Sequence, residues 1–186
     1  MDKNKYLILG SIVAAITGVP SAYYLTGVSP HGEQAIAQHE GYRAKPYRDP
    51  GGVVTQGHGS TFRPDGSRIK MTDKAISKKE ALHYLHAHIA RHQKVFNHSL
   101  RNIRLSQTEY DIYADFVYQY GIDAWKESSM LRHLHHGQYV QACRSLEKWR
   151  FSRVGKVKVD CRLNSKCRGV WNRQKWRIEK CLEVNQ

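Results

Sequence analysis

Acidic side chains are scarce in this chain. Its 186 residues carry 16 Asp and Glu against 30 Lys and Arg, a formal charge of +14. Such a deficit points away from cationic partners and toward an anionic one: nucleic acid, a membrane surface or an acidic wall polymer. The imbalance is steepest late, where residues Arg144 to Lys180 hold 13 Lys and Arg and only 3 Asp and Glu. Recognisable nucleic-acid-binding motifs are lacking. No nucleic-acid partner is therefore expected, and the phosphates of outer-membrane lipid or an anionic wall polymer satisfy the same charge.

Cysteine does not occur before Cys143. The four present are Cys143, Cys161, Cys167 and Cys181, and none has the CxxC spacing of a zinc or redox motif. An even count fits disulfides in an exported chain, with three possible connectivities; four buried thiols are the alternative. Eleven histidines occur, with His88 and His92 at helical spacing, His83 and His86 likewise, and His133, His135 and His136 clustered. No acid or cysteine stands by as a third ligand, so neither a metal nor any cofactor is expected. Surface histidines that add positive charge at mildly acidic pH are the plainer reading. Internal repeats and low-complexity linkers are also missing. The length suits one domain, or one domain of two lobes.

Charge is absent altogether from Tyr6 to Val28, a run of 23 residues preceded by Lys3 and Lys5. That is long enough to span a bilayer, with the N-terminus inside. Gly10, Ser11, Ala14, Ala15, Thr17, Gly18, Ser21 and Ala22 dilute its hydrophobicity, and Pro20 interrupts a helix. Residues 1–28 read as an export segment that holds the chain weakly at the inner membrane and later lets go. A cleaved signal peptide and a buried core helix are the alternatives.

The remainder predicts an α+β chain, mostly helical. A helix is expected over 29–42, with Gly41 as the residue that ends it. Lys45 to Arg48 and Val53 to His58 read as two strands joined by Asp49-Pro50-Gly51-Gly52. A third strand is expected near Ser67 to Met71. Ser77 to Glu80 and Ser106 to Glu109 are capping boxes. Tyr110, Tyr113, Val117 and Tyr120 form a stripe at helical spacing, more plausibly core than a platform for bases. Further helices are expected from Ser129 to His136, from Tyr139 to Lys148, and around Trp171 to Leu182.

One constellation carries chemistry. Glu40 closes the first helix, Asp49 sits in the turn, and Thr55 follows on the second strand. Two carboxyls held apart across a cleft are what cleavage of a glycosidic bond needs. The negative end of the helix dipole favours a protonated Glu40, as befits a general acid. Asp49, in a solvated turn, is expected to stay charged.

Glu40-Gly41, Tyr47-Arg48-Asp49, Thr55 and the exit Gly57-His58-Gly59 resemble the signature of the phage-type lysozymes, glycoside hydrolase family 24. Leu105-Ser106-Gln107 and Phe116 to Gly121 are similar to that family's central helix. Leu146 to Trp149 and Arg168 to Gln174 resemble its C-terminal motifs. The apolar segment resembles the signal-arrest-release segment of some phage endolysins. Two positions depart from the pattern: Ser60 stands where many members have His, and Gln119 where Asn is usual.

The resemblance implies a lysozyme-like, two-lobed fold, with a small antiparallel sheet lobe at about 42–75 and a helical lobe at about 76–186, the catalytic domain spanning 29–186. It implies a monomeric muramidase that cuts bacterial peptidoglycan and causes host lysis. Glu40, Asp49 and Thr55 would be catalytic, by inversion, with His58, Ser60 and Gln119 as substrate contacts. A lytic transglycosylase, or a cationic protein that permeabilises membranes through its basic C-terminal helices, is the alternative. Anionic inner- or outer-membrane surfaces are the other expected partner.

Overall fold

The computed structural model describes residues 25, 27–49 and 51–185, and the backbone of Tyr6 and Leu7. The expected export segment, 6–28, and Pro50 of the turn lie largely or wholly outside the described residues. The chain divides into two compact units: Gly27–Phe96, and Asn97–Gln186 together with Met1–Thr26. Among the described residues no helix is long and apolar enough to cross a membrane.

The first unit opens with α1, Pro30–Glu40. Ser29 caps it by accepting the Gly32 N–H (3.0 Å), and a proline occupies the first turn, where its missing N–H costs nothing. Gly41 ends it, its N–H returning to the Ala37 carbonyl (3.1 Å). Strands β2 (Arg43–Arg48) and β3 (Val54–Gly57) follow as an antiparallel hairpin with Tyr47 opposite Thr55 and a register shift between Arg43 and Tyr47. Both faces of β3 are covered, since neighbouring Thr55 and Gln56 are each buried. The Gln56 amide donates to the Ala44 and Lys74 carbonyls (2.7 Å each), tying the hairpin to the loop that follows.

The strand expected at Ser67 to Met71 does not form. Residues 61–73 make turns instead, with a single bridge between Phe62 and Arg68. Two backbone bonds flank that bridge, Arg63 N–H to the Ser67 carbonyl (2.8 Å) and Ile69 N–H to the Thr61 carbonyl (3.1 Å), and pairing stops where the Lys70 N–H turns to the Asp73 carboxylate (2.9 Å). Helix α2, Lys78–Ser99, begins at the Ser77–Glu80 capping box: Ser77 N–H to Glu80 (2.7 Å), and Glu80 N–H to Ser77 (3.2 Å). Ala81 and Leu85 of α2 are fully buried, as is Ile36 of α1. A Cβ on Gly57 would stand 3.0 Å from the Ala81 Cβ, so β3 approaches α2 as closely as only glycine permits. His86 of α2 bonds Glu33 of α1 (2.7 Å).

The second unit is helical. Its elements are β4 (Arg104–Leu105, paired with β1, Tyr6–Leu7), α3 (Gln107–Tyr120), α4 (Ile122–Lys126), α5 (Ser129–His135) and α6 (Tyr139–Ser145). A 3₁₀ turn, Leu146–Trp149, continues α6, and α7 runs Arg168–Glu183. Helix α3 starts at the second capping box and buries Tyr110, Tyr113, Phe116 and Val117, so the aromatic stripe is core. Trp125 packs on Tyr113 with centroids 5.1 Å apart, and Trp149 meets Phe116 edge-on at 4.7 Å.

Two features of this unit were not expected from sequence. Strands β5 (Phe151–Val154) and β6 (Val157–Asp160) form a hairpin around Gly155-Lys156. Asp115 of α3 is buried between Arg173 (2.6 Å) and Arg177 (2.5 Å) of α7. Removing one member of such a set costs about 3–5 kcal/mol, because it strands a charge out of water. The cysteines pair Cys143 with Cys181, joining α6 to α7, and Cys161 with Cys167, closing the loop ahead of α7.

Candidate active site

Glu40 is the last residue of α1 and is partly exposed. Its placement is set by backbone on both sides. Gly41 leaves the helix with φ 71°, and its carbonyl is held by Nδ1 of His58. The His58 ring, buried, also lies 5.8 Å from that of Tyr42. A Cβ on Gly59 (φ +81°) would stand 3.4 Å from Oε2 of Glu40. The carboxyl therefore turns toward the Gly57-His58-Gly59 exit, and glycine at 59 leaves space beside it.

Asp49 stands at the end of β2, in the turn. Its backbone N–H donates to the Val53 carbonyl (2.9 Å), and its Oδ1 accepts the Val53 N–H (2.8 Å). Arg48 donates across the turn to the Gly52 carbonyl (2.8 Å), so its guanidinium braces the backbone. Among the described residues Asp49 has no ion-pair partner, and its second carboxylate oxygen is not committed by the turn. Thr55, buried, lies opposite Tyr47 in the hairpin and its hydroxyl donates to the Tyr47 carbonyl at 3.4 Å. The long contact leaves the hydroxyl oxygen able to accept from a water.

All three residues, with His58 and Ser60, belong to the unit Gly27–Phe96. Ser60 is fully buried; its backbone exchanges both hydrogen bonds with Gln56 (3.0 and 3.1 Å), and its hydroxyl has no partner among the described residues. Gln119 belongs to the other unit, on α3, where its buried Oε1 has no partner among the described residues. Nδ1 of His58, a residue expected to contact substrate, bonds the backbone carbonyl beside Glu40. That coupling joins residues 17 apart, which no local motif encodes.

A family model described as phage lysozyme matches residues 37–175, a span containing Glu40, Asp49, Thr55 and Gln119. An endolysin of Acyrthosiphon pisum secondary endosymbiont phage 1 is 28% identical over 127 residues, 68% of this chain and 82% of that protein. A SAR-endolysin of Bacteriophage PS119 is 28% identical over 145 residues, 76% of this chain and 80% of its own. Among solved structures, an endolysin from Escherichia coli O157:H7 phage FAHEc1 superposes with TM-score 0.69 at 26% identity, covering 84% of this chain and 93% of that one.

Proposed function

Because the chain belongs to the phage lysozyme family, and is accordingly a peptidoglycan-cleaving glycoside hydrolase, we propose that it is a muramidase whose chemistry runs on Glu40, Asp49 and Thr55. The bond cut is the β-1,4 link between N-acetylmuramic acid and N-acetylglucosamine. Glu40 donates its proton to the glycosidic oxygen as the C1–O bond breaks. Asp49 faces the positive charge that develops at C1. A water held by Asp49 and Thr55 attacks C1 from the opposite face, and its proton passes to Asp49. That scheme inverts the anomeric centre and needs space for the water between the carboxyls.

The observation that supports this reading best is the seat of Glu40. A helix ends on it, glycine borders its carboxyl, and His58 fixes the next carbonyl, all within the unit whose hairpin carries Asp49 and Thr55. His58 then acts as a positioning residue for the acid.

The deciding experiment treats purified peptidoglycan with wild type, Glu40→Gln and Asp49→Asn, and reads the products by mass and anomeric configuration. Wild type should yield reducing muropeptides of inverted configuration, and both variants should keep the fold and lose lysis. Full activity in Glu40→Gln removes it as the acid. A retained configuration would make Asp49 a nucleophile, and 1,6-anhydro products would make the enzyme a transglycosylase.

The same reading extends to export. Two relatives are SAR-endolysins by name. Residues 6–28 would hold the chain at the inner membrane, about 12 residues ahead of Glu40, until release into the periplasm lets α1 seat itself and host lysis begins. A chain starting at Ser29 should then exceed the membrane-held protein in activity; equal activity would end the idea.

A further inference from the structure

The loop at 61–63 and one face of α2 enclose a cavity of about 200 Å³ lined by Thr61, Phe62, Arg63, His88, Arg91 and His92. Arg91 lays its guanidinium on the Phe62 ring, 4.1 Å from the centroid, and Arg68 approaches the same ring at 5.0 Å. The His88 and His92 rings lie 5.9 Å apart on successive turns.

The charges here do not cancel. Two acids are near, and both are occupied. Asp73 binds Arg63 (2.5 Å) and accepts the Lys70 N–H (2.9 Å), while Asp65 accepts the Ser67 N–H (2.8 Å). Arg63 further donates to the Ser67 hydroxyl and the Arg68 carbonyl. Arg63, Arg68 and Arg91 against Asp65 and Asp73 leave a surplus of one positive charge before either imidazole protonates. Among the described residues Arg91 has no carboxylate partner. Burial, and after it the charges of His92 and Arg91, lower His88 to about 4.

We propose that this cavity binds a phosphate group. A guanidinium held over an aromatic ring is a preorganised donor for an oxyanion. Thr61 and Arg63 come from the loop and His88, Arg91 and His92 from the helix, so polar residues line two walls. That suits a tetrahedral anion with acceptors in more than one plane better than a flat carboxylate. The phosphate can be free, part of a soluble glycerol-phosphate chain, or a lipid headgroup. None of Glu40, Asp49 and Thr55 lines the cavity, so its test and that of the hydrolase reading stand apart.

The test follows the His88 and His92 imidazole resonances of the full chain at about pH 6, during titration with inorganic phosphate, acetate or chloride at matched ionic strength. Phosphate should give saturable shifts at both rings, and Arg91→Gln should weaken its binding about tenfold, the size of one lost charge-assisted contact. Arg91→Lys, which keeps the charge, should recover part of the loss, and circular dichroism checks each fold. If Arg91→Gln does not fold, the comparison of anions on wild type decides instead, and shifts with acetate as large as those with phosphate overturn the site. Equal shifts with all three anions, or indifference to Arg91→Gln, would also overturn it. Arg91-dependent capture by phosphatidylglycerol vesicles but not phosphatidylcholine vesicles identifies a lipid source; binding of glycerol phosphate without vesicle capture identifies a soluble one.

Discussion

His88 shows how a single side chain ties stability to acidity. Its imidazole titrates at about 4, against an ordinary 6.5, because it is buried next to His92 and Arg91. The unfolded chain therefore takes up a proton that the folded chain refuses between those values. Stability is unaffected above about pH 6.5 and falls as pH drops toward 4. At about 1.4 kcal/mol per unit of pKa difference, the loss reaches about 3 kcal/mol. His88→Gln should flatten the fall in urea midpoint between about pH 6.5 and pH 4; an unchanged slope would assign the acid sensitivity elsewhere. At this scale the sequence was informative where the chemistry is local. Glu40 and Gly41, Asp49 in its turn, and the serine–glutamate caps were legible because each involves residues at most four apart. The His58 bond to the Gly41 carbonyl and the Asp115–Arg173–Arg177 set were not, since they join residues 17, 58 and 62 positions apart.

Elements were legible in proportion to how much of their stabilisation is periodic burial. Helix α3 is buried without a break from Glu109 to Val117, and the helical spacing of Tyr110, Tyr113 and Val117 within it reads at once. Hairpin β5–β6 is not legible in the sequence because Phe151, Arg153 and Lys158 are exposed, so no apolar face alternates with a polar one. The signal that remained is a Gly-Lys pair between valines, with Gly155 at φ 62°. The expected third strand is cut short for the opposite reason: β-compatible residues are present, but the Lys70 N–H bonds the Asp73 carboxylate and pairing ends after one bridge. Among covalent links, Cys143–Cys181 spans 38 positions and Cys161–Cys167 only 6. Restricting the unfolded chain is worth about 4 kcal/mol for the first and about 2 kcal/mol for the second on the chain-entropy account. Replacing Cys143 and Cys181 by serine should lower the urea midpoint more than replacing Cys161 and Cys167; the reverse order would show that the short loop matters through packing.

For the whole molecule the governing quantity is the charge of +14. Attraction to an anionic wall is screened over about 10 Å at 0.1 M salt, and surface lysines and arginines feel that screening fully. Adsorption of the intact protein to purified walls should weaken steadily between about 10 mM and about 300 mM salt, while turnover on short soluble fragments changes little. Salt-independent adsorption would mean that the glycan alone recruits the enzyme. The composition made this tendency visible from the start, although only the fold assigns the surplus around Phe62 to a cavity.

The join between α1 and β2 imposes a further condition. Glu40 ends the helix, and only Gly41 and Tyr42 separate it from the first strand residue, Arg43. Each helical residue advances the direction of its side chain by about 100°. Adding or deleting one residue between Ile36 and Arg43 would swing the carboxyl away from Gly59 or pull the hairpin out of register. Point substitutions along the exposed side of α1 carry no such penalty. On the proposed mechanism this segment tolerates changes of residue but not of length, so the register of the helix is itself part of the catalytic equipment.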